Sequence, residues 1–335
     1  MIIESIAPTR VDLAGGTIDI WPLYLFHPGA ATVNFGISLY ARCRIETRED
    51  DRIILESRDR KLAFETTLAG VADLVREERL ELISKLVHFF KPETGFHLLA
   101  ESDAPAGAGL GGSSALAIAC IGALNHLVGE RYERRKFINL AANIETTVIR
   151  VPAGFQDYYG AFYGGANCIH FRPDGIEREG LPVNAAEFER RIAICYTGEP
   201  RLSGINNWEM FKTHIDGDPT IFGLFESIRD SARAMREALI NDDWQAVSAV
   251  MRAAYPNRKR LAPNITTPHM EMLVEKALRH GAEAAKVCGA GGGGCIAFLC
   301  AEGTKTEVER ALSEETDVQA LNWKFAPEGL TVQVS

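Results

Sequence analysis

Three glycine-rich stretches, far apart in the chain, constrain it more than any other feature. They are Arg10-Val-Asp-Leu-Ala-Gly-Gly-Thr-Ile-Asp19, Pro105-Ala-Gly-Ala-Gly-Leu-Gly-Gly-Ser-Ser114 and Cys288-Gly-Ala-Gly-Gly-Gly-Gly-Cys295. Glycine, lacking a Cβ, lets backbone N–H groups approach a ligand that side chains would hold off. The second stretch runs straight into an apolar, helix-patterned segment, residues 115–128. Unpaired N–H groups and the helix dipole both favour negative charge at such a junction, so the expected ligand is an anion, with phosphate the natural choice.

Both later stretches match Gly-x-Gly-x-x-Gly, at Gly107, Gly109, Gly112 and at Gly289, Gly291, Gly294. A dinucleotide fingerprint would sit after the first strand of a βαβ unit, with an acid about twenty residues on. Glu130 lies near that distance, but the loop ends in Ser113-Ser114 and the unit does not repeat. No Gly-Lys-Ser/Thr follows either stretch, which excludes a P-loop. Phosphate charge must then be offset by something other than a P-loop lysine. A serine at the helix start can ligate Mg²⁺ carried by a nucleotide, and a carboxylate would complete the site. Glu145 is the candidate, set in the otherwise uncharged Ala141-Ala-Asn-Ile-Glu-Thr-Thr147. A carboxylate there is costly unless paired or metal-bound; the alternative is a helix acid facing solvent.

Asp157 is a lone acid in Gly154-Phe-Gln-Asp-Tyr-Tyr-Gly-Ala-Phe-Tyr-Gly-Gly165. It could take or orient the proton of a substrate hydroxyl during phosphoryl transfer, or cap a turn. Arg10 and Asp19 bracket the first stretch. An inward strand arginine can stabilise a transferring phosphoryl group or hold Asp157 ionised. Asp19 could accept hydrogen bonds from a polyol; a surface ion pair is the alternative for both.

The net charge of −9 argues against nucleic acid as the main partner, which would want a basic face. The N-terminal residues lack the basic and apolar regions of a secretory signal. No stretch approaches roughly eighteen uninterrupted apolar residues, so no membrane span is expected. Seven cysteines without a Cys-x-x-Cys pair suit reduced thiols in a cytoplasm. Neither His-Glu-x-x-His nor Gly-x-Ser-x-Gly occurs, which leaves hydrolase chemistry little support.

Period-two alternation predicts strands at 1–13 and 31–57, with further strands at 96–100, 163–171 and 191–197 and a closing one at 330–334. A strand pair flanks the third glycine stretch. Helical patterning covers 69–90, 115–128, 133–150, 220–240, 242–254, 268–281 and 304–314. Helices and strands do not strictly alternate, which favours α+β over a doubly wound sheet. The polar stretch 172–189 marks the expected boundary between domains of residues 1–185 and 186–335, unless it is a hairpin and loop.

In order, the three stretches resemble those of the GHMP superfamily of small-molecule kinases, in its sugar-kinase branch of galactokinase, heptose kinase and fucose kinase. Ala7-Pro-Thr-Arg-Val-Asp-Leu-Ala-Gly-Gly-Thr-Ile-Asp19 lines up without gaps on the galactokinase pattern Ala-Pro-Gly-Arg-Val-Asn-Leu-Ile-Gly-Glu-His-Thr-Asp. The second resembles the family's Pro-x-x-x-Gly-Leu-Gly-Ser-Ser loop, and Ala285 to Cys295 its third motif. Gln156-Asp157-Tyr158-Tyr159 is similar to the Gln-Asp-Gln-Tyr of heptose and fucose kinases.

The resemblance implies an α+β, two-domain GHMP kinase-like fold, with an N-terminal S5-like α/β domain and a C-terminal ferredoxin-like α/β domain. It implies an ATP phosphate loop of Pro105, Gly107, Gly109, Leu110, Gly111, Gly112, Ser113 and Ser114. Mg²⁺ would be held by Ser113 or Ser114 with Glu145, Ser113 being favoured by counting from Gly-Leu-Gly. Asp157 would be the catalytic carboxylate, with Arg10 near the transferred phosphoryl. Asp19, with Gly16 and Thr17, would hold sugar hydroxyls, and Gly289 to Gly293, Gly291 and Gly292 among them, would close over substrate or phosphates.

The implied activity is ATP-dependent phosphorylation of a hexose or heptose, or its phosphate, at the anomeric hydroxyl, in the manner of a heptose 7-phosphate kinase. Partners would be the sugar and ATP, without nucleic acid or membrane. Three features differ from neighbouring branches. Gly16-Thr17 stands where galactokinases have Glu-His, Arg10 where mevalonate kinases have lysine, and Tyr158 where heptose kinases have a second glutamine. Mevalonate, galactose, or a catalytically silent sugar- or nucleotide-binding relative are the alternatives, a dinucleotide-dependent oxidoreductase a weaker one. Trp21, Asn34, Asn206, Asn207 and Trp208 are further candidates for the acceptor pocket.

Overall fold

Alternating side chains at the start of the chain build two long strands, β1 (Ile2–Ala14) and β2 (Ala31–Thr47), paired antiparallel. Their register shifts between Pro8 and Thr9, where proline cannot donate to the ladder and a bulge accommodates it. Beyond the shift, Arg10 and Asp12 fall on one face of β1, and both are buried. The computed structural model describes residues 1–200 and 205–335, with side chains in the second span from 208 onward.

Next come β3 (Arg52–Ser57), β4 (Leu62–Thr67), α1 (Glu81–Phe90), β5 (Phe96–Ser102), α2 (Gly112–Leu127), α3 (Phe137–Ile149), α4 (Gln156–Tyr163), β6 (Ala166–Arg172) and β7 (Gly175–Leu181). The second half holds α5 (Ala185–Arg191), β8 (Ile192–Tyr196), α6 (Ile205–Ile215), α7 (Pro219–Ile240), α8 (Trp244–Lys259), α9 (Pro268–Arg279), β9 (Ala282–Val287), β10 (Cys295–Cys300), α10 (Lys305–Leu312), β11 (Gln319–Ala320) and β12 (Thr331–Val334).

Two sheets result. The larger runs β12-β1-β2-β5-β3-β4, with β6 and then β7 added beside the first half of β2; the smaller runs β11-β8-β10-β9. Among the described residues only β3 and β5 pair parallel. Helix α2 lies against β1 and β2 and is buried on every side from Ala117 to Leu124, as a helix without a polar face must be. Val11, Leu13 and Phe35 of the large sheet share one apolar cluster with Met235 of α7, Met251 of α8 and Ile194 and Leu299 of the small sheet. That shared cluster joins the two layers. Asp218, Asp243 and Thr267 cap α7, α8 and α9 through side-chain bonds to backbone N–H groups.

The mixed content is the expected α+β class. The expected helix at 69–90 is a 3₁₀ segment, Leu68–Arg76, followed by α1. The polar stretch 172–189 is the β6–β7 hairpin and the start of α5. The last strand leaves the small sheet and pairs with β1. No helix among the described residues is long and apolar enough to cross a membrane.

Candidate active site

The second glycine stretch is a loop ahead of α2, with Gly107, Gly109 and Gly111 at φ of 70°, 79° and 75°. Gly111 is the residue from which α2 starts, and its φ is closed to most side chains. The loop walls a cleft of about 520 Å³, within the range of small-molecule sites. Pro105, Gly107, Gly109, Leu110, Gly111, Gly112 and Ser113 all line it, with Glu145 and Asp157 at one side.

The third glycine stretch braces this loop from behind. Cys295 N–H donates to the Ala108 carbonyl at 2.8 Å. A Cβ on Gly109 would come within 2.5 Å of the Cys288 carbonyl oxygen. Gly291 and Gly292, expected over the substrate, face another way. A Cβ on Gly291 would strike the Ile265 backbone, and Gly292 N–H donates to the Ile265 carbonyl at 3.0 Å. Their neighbours Gly289 and Ala290 reach the pocket beside Asp157 instead.

At the start of α2, Ser113 Oγ donates to Glu145 Oε1 and Ser114 Oγ donates to Oε2 at 3.0 Å. Glu145 is 5 % exposed. Burial raises its pKa, against the lowering effect of its bonds with Ser113, Tyr158 and Ser114. Among the described residues no basic side chain forms an ion pair with it. A buried carboxylate ringed by hydroxyls and left without a counter-charge is a donor set suited to a hard cation such as Mg²⁺. Ser113 lines the cleft, while Ser114 stands behind it.

Arg10, 2 % exposed, reaches from β1 to the first turn of α4. Its Nε donates to Asp157 Oδ1 at 2.8 Å, its Nη2 donates to the same oxygen, and its Nη1 donates to the Gly109 carbonyl at 2.8 Å. Burial works against the guanidinium charge, but Asp157 and Asp12 outweigh it, and the Arg10 pKa is raised. Asp157 thus has one oxygen fixed by arginine. Its Oδ2 faces Gly111, where a Cβ would sit 3.4 Å away.

A second, smaller pocket of about 70 Å³ opens on the other side of Asp157. Arg10, Asp12, Gly16, Thr17, Asp19 and Gln156 line it. Asp19 Oδ1 accepts from Thr17 N–H and Oδ2 from Gln156 N–H, both at 3.0 Å. Burial pushes the Asp19 carboxyl up to about 6, against the lowering effect of the Gln156 bond. Two residues of this lining carry buried acceptors, Asp12 Oδ1 and Gln156 Oε1, with no partner among the described residues, an arrangement that is costly until hydroxyl donors arrive. Thr17 adopts φ 86°, and its hydroxyl accepts from Nη1 of Arg258, whose Nη2 donates to the Gly289 carbonyl at 2.7 Å. Lys286 Nζ lies 3.2 Å from Asp12 Oδ2.

Arg10, Asp19, Gly16, Thr17 and Asp157 therefore meet around one pocket, and Ser113, Ser114 and Glu145 meet beside the cleft. Asn34 is buried as a brace, donating to the Gln156 carbonyl at 3.0 Å and accepting from Asn167. Trp21 and Trp208 are exposed and line neither cavity; the side chains of Asn206 and Asn207 lie outside the described residues. Four residues escaped sequence reasoning: Asp12, Gln156, Arg258 and Lys286. Asp12 had a signal, since it stands two places from Arg10 on the same strand. Gln156 had one in its place beside Asp157 in the Gly154–Gly165 segment; Arg258 and Lys286 had none.

The model for the N-terminal domain of GHMP kinases matches residues 70–165, and that for their C-terminal domain matches residues 235–317. The chain is 30 % identical to D-glycero-α-D-manno-heptose 7-phosphate kinase of Campylobacter jejuni, with 98 % of each chain covered. It is 24 % identical to a mevalonate kinase of Thermococcus sibiricus, over 99 % of both chains. The crystal structure of a D-glycero-D-manno-heptose 1-phosphate kinase from Bacteroides thetaiotaomicron superposes with a TM-score of 0.78 at 25 % identity, covering 99 % of both. With both domain models in sequence order and a relative matched from end to end, this chain belongs to the GHMP kinase family.

Proposed function

We propose that the chain transfers the γ-phosphoryl group of ATP to the anomeric hydroxyl of a heptose 7-phosphate. The observation that carries this reading is the position of Asp157, which borders both cavities with one oxygen fixed by Arg10. A nucleotide's terminal phosphate in the cleft and an acceptor hydroxyl in the small pocket would meet there. The heptose 7-phosphate kinase of Campylobacter jejuni supports the choice of acceptor, and the heptose 1-phosphate kinase of Bacteroides supports a heptose phosphate without fixing which position reacts.

In this mechanism the N–H groups of the Gly107–Gly112 loop and the start of α2 hold the phosphate tail. Ser113, Ser114 and Glu145 would hold Mg²⁺, which would supply positive charge to neutralise the phosphate tail. The acceptor's other hydroxyls donate to Asp12 Oδ1, Gln156 Oε1 and Asp19, satisfying the unpartnered oxygens. Asp157 accepts the proton of the reacting hydroxyl as the new O–P bond forms and the bond to ADP breaks. Arg10 keeps that carboxylate oriented and adds positive charge beside the transferring group. Positioning and electrostatics supply most of the rate.

The test is ADP release over a panel of heptose 7-phosphate, free heptose, hexoses, hexose 6-phosphates, galactose and mevalonate. Phosphorus NMR of the product then locates the new ester. Turnover with heptose 7-phosphate giving an anomeric phosphate is the expected result; turnover confined to mevalonate or galactose overturns the acceptor, and no turnover with any overturns the activity.

A further inference from the structure

Beside the acceptor pocket lies a third cavity, of about 30 Å³. A single water needs roughly 10–15 Å³ of such space, so the cavity takes two or three oxygen-sized groups. Gly16 lines both it and the acceptor pocket, so the two are neighbours across one residue without a side chain. Its remaining polar wall comes from three elements: Ser227 and Ser231 one turn apart on α7, Asn257 and Arg258 at the end of α8, and Lys286 of β9. Among the described residues no carboxylate lines it, and Asp12 Oδ2 lies 3.2 Å from Lys286 Nζ.

Arg258 is 8 % exposed, and two of its nitrogens are used on Thr17 and Gly289, while its buried Nε has no partner. A buried guanidinium with an unpaired N–H, next to a lysine and facing hydroxyls, is unfavourable until an anion completes it. Burial lowers its pKa, offset in part by Asp12 and Asp19, which act from the acceptor-pocket side. Ser231 Oγ bonds the Ser227 carbonyl at 2.7 Å and Ser227 Oγ the Gly223 carbonyl at 3.2 Å. Such bonds to a helix's own carbonyls are readily exchanged when the hydroxyl rotates.

We infer that this cavity holds the phosphate monoester at the far end of the acceptor, with Arg258, Lys286, Ser227, Ser231 and Asn257 as its donors. The assignment rests on the sugar-phosphate reading above and names the part of the site that selects for it. From Asp157 the order would run reacting hydroxyl, then the hydroxyl acceptors Asp12, Asp19 and Gln156, then Gly16, then the two cations. A chain of carbons phosphorylated at one end and reacting at the other fits that order. Two cations flanked by neutral donors suit a dianion better than a carboxylate.

The experiment compares heptose 7-phosphate with free heptose in the wild type, in Ser231→Asp and in Asn257→Leu. Ser231→Asp sets a negative charge in the cavity; Asn257→Leu removes one donor and no charge. For the phosphorylated acceptor KM should rise by about tenfold or more in Ser231→Asp, the scale of one charged hydrogen bond lost, and by less in Asn257→Leu. The kcat for that acceptor and both constants for free heptose should stay near wild type. Equal losses with both acceptors, or no loss with either, overturn the assignment. Wild-type turnover of heptose 7-phosphate is read separately and judges the substrate reading alone. Inorganic phosphate gives a measure independent of turnover, titrated into protein whose nucleotide cleft is filled by a non-hydrolysable ATP analogue with Mg²⁺. It should bind the wild type, and Ser231→Asp about tenfold more weakly; failure to bind the wild type, or equal binding to both, overturns the cavity's role.

Discussion

The two cavities that meet at Asp157 are built in opposite ways. The cleft proposed for the nucleotide has backbone at its phosphate end: a glycine loop and a helix start, with a second glycine run behind them. The pocket proposed for the acceptor is marked by side chains, with Arg10 and Asp12 from a strand, Asp19 from a turn and Gln156 from a short helix. A phosphate tail offers the same oxygens whatever it is attached to, so N–H groups suffice to hold it. A polyol must be distinguished from its epimers, which takes acceptors at fixed positions on rigid elements. Within one family the first wall can stay while the second is rebuilt.

The contrast is most directly broken at the junction itself. Asp157→Asn should lower kcat by about 10²–10⁴-fold, the usual contribution of a general base, while calorimetry shows ATP binding nearly unchanged. Wild-type turnover in that variant removes the residue from its role. Next in size is Glu145→Gln, which belongs to the nucleotide side only. Losing a ligand should weaken the apparent Mg²⁺ affinity by about 10–100-fold, the range seen even for outer partners of metal sites, and leave the acceptor KM alone. A metal titration matching wild type would refute it.

Backbone walls should also be intolerant where side-chain walls are not. Gly109→Ala, at φ +79° and 2.5 Å from the Cys288 oxygen, should cost about 1–3 kcal/mol in denaturant unfolding. Gly223→Ala, in the second turn of α7 with nothing within 4 Å, should instead stabilise by about 0.5–1 kcal/mol. If the two variants unfold alike, the bracing of the phosphate loop is not what the contacts suggest.

The smallest effect is a pH profile on the acceptor side. Asp19 has a folded pKa of about 6, above its ordinary 3.8. The fold therefore favours the neutral form. That contribution to stability is full below about pH 3.8 and is lost as pH rises through about 6. Acceptor binding has the opposite sign, because only the carboxylate accepts hydroxyl protons freely. With free heptose as acceptor, since a phosphate ester titrates in the same range, kcat/KM should fall below pH 6 while the KM for ATP stays flat. Asp19→Asn should abolish the inflection; an inflection that survives assigns it elsewhere.

The same contrast explains how much could be read from the sequence. Glycine runs report a backbone-built site directly, so the loop, Ser113 and the start of α2 were legible. Glu145 was legible because a charge in an apolar helix needs a reason, and Asp157 because it is the lone acid of its segment. Arg258 and Lys286 were not, since each sits in an ordinary mixture of charged and small residues and acquires meaning only when α8 and β9 converge on Thr17 and Asp12. Helix α4 was hidden by its own function: glycines and aromatics let it lie against β1, with Gly160 pressed on Arg10, and they erase the 3.6-residue pattern. Gly291 and Gly292 pack on the Ile265 backbone, a placement the sequence left open because a glycine run does not say which way each of its members faces. The order of elements was legible, but the return of β12 to the first sheet was not, as pairing across such a separation leaves no local trace.

That return has a consequence for synthesis. The strand bearing Arg10 and Asp12 gains its second neighbour only from residues 331–334. A nascent chain can thus assemble the phosphate loop and its helix long before the Ile3–Ile6 flank of β1 meets its partner in Thr331–Val334. Contacts of such long range come late and slowly. The chemically richest strand of the molecule is, on the ribosome, the one left waiting longest for company.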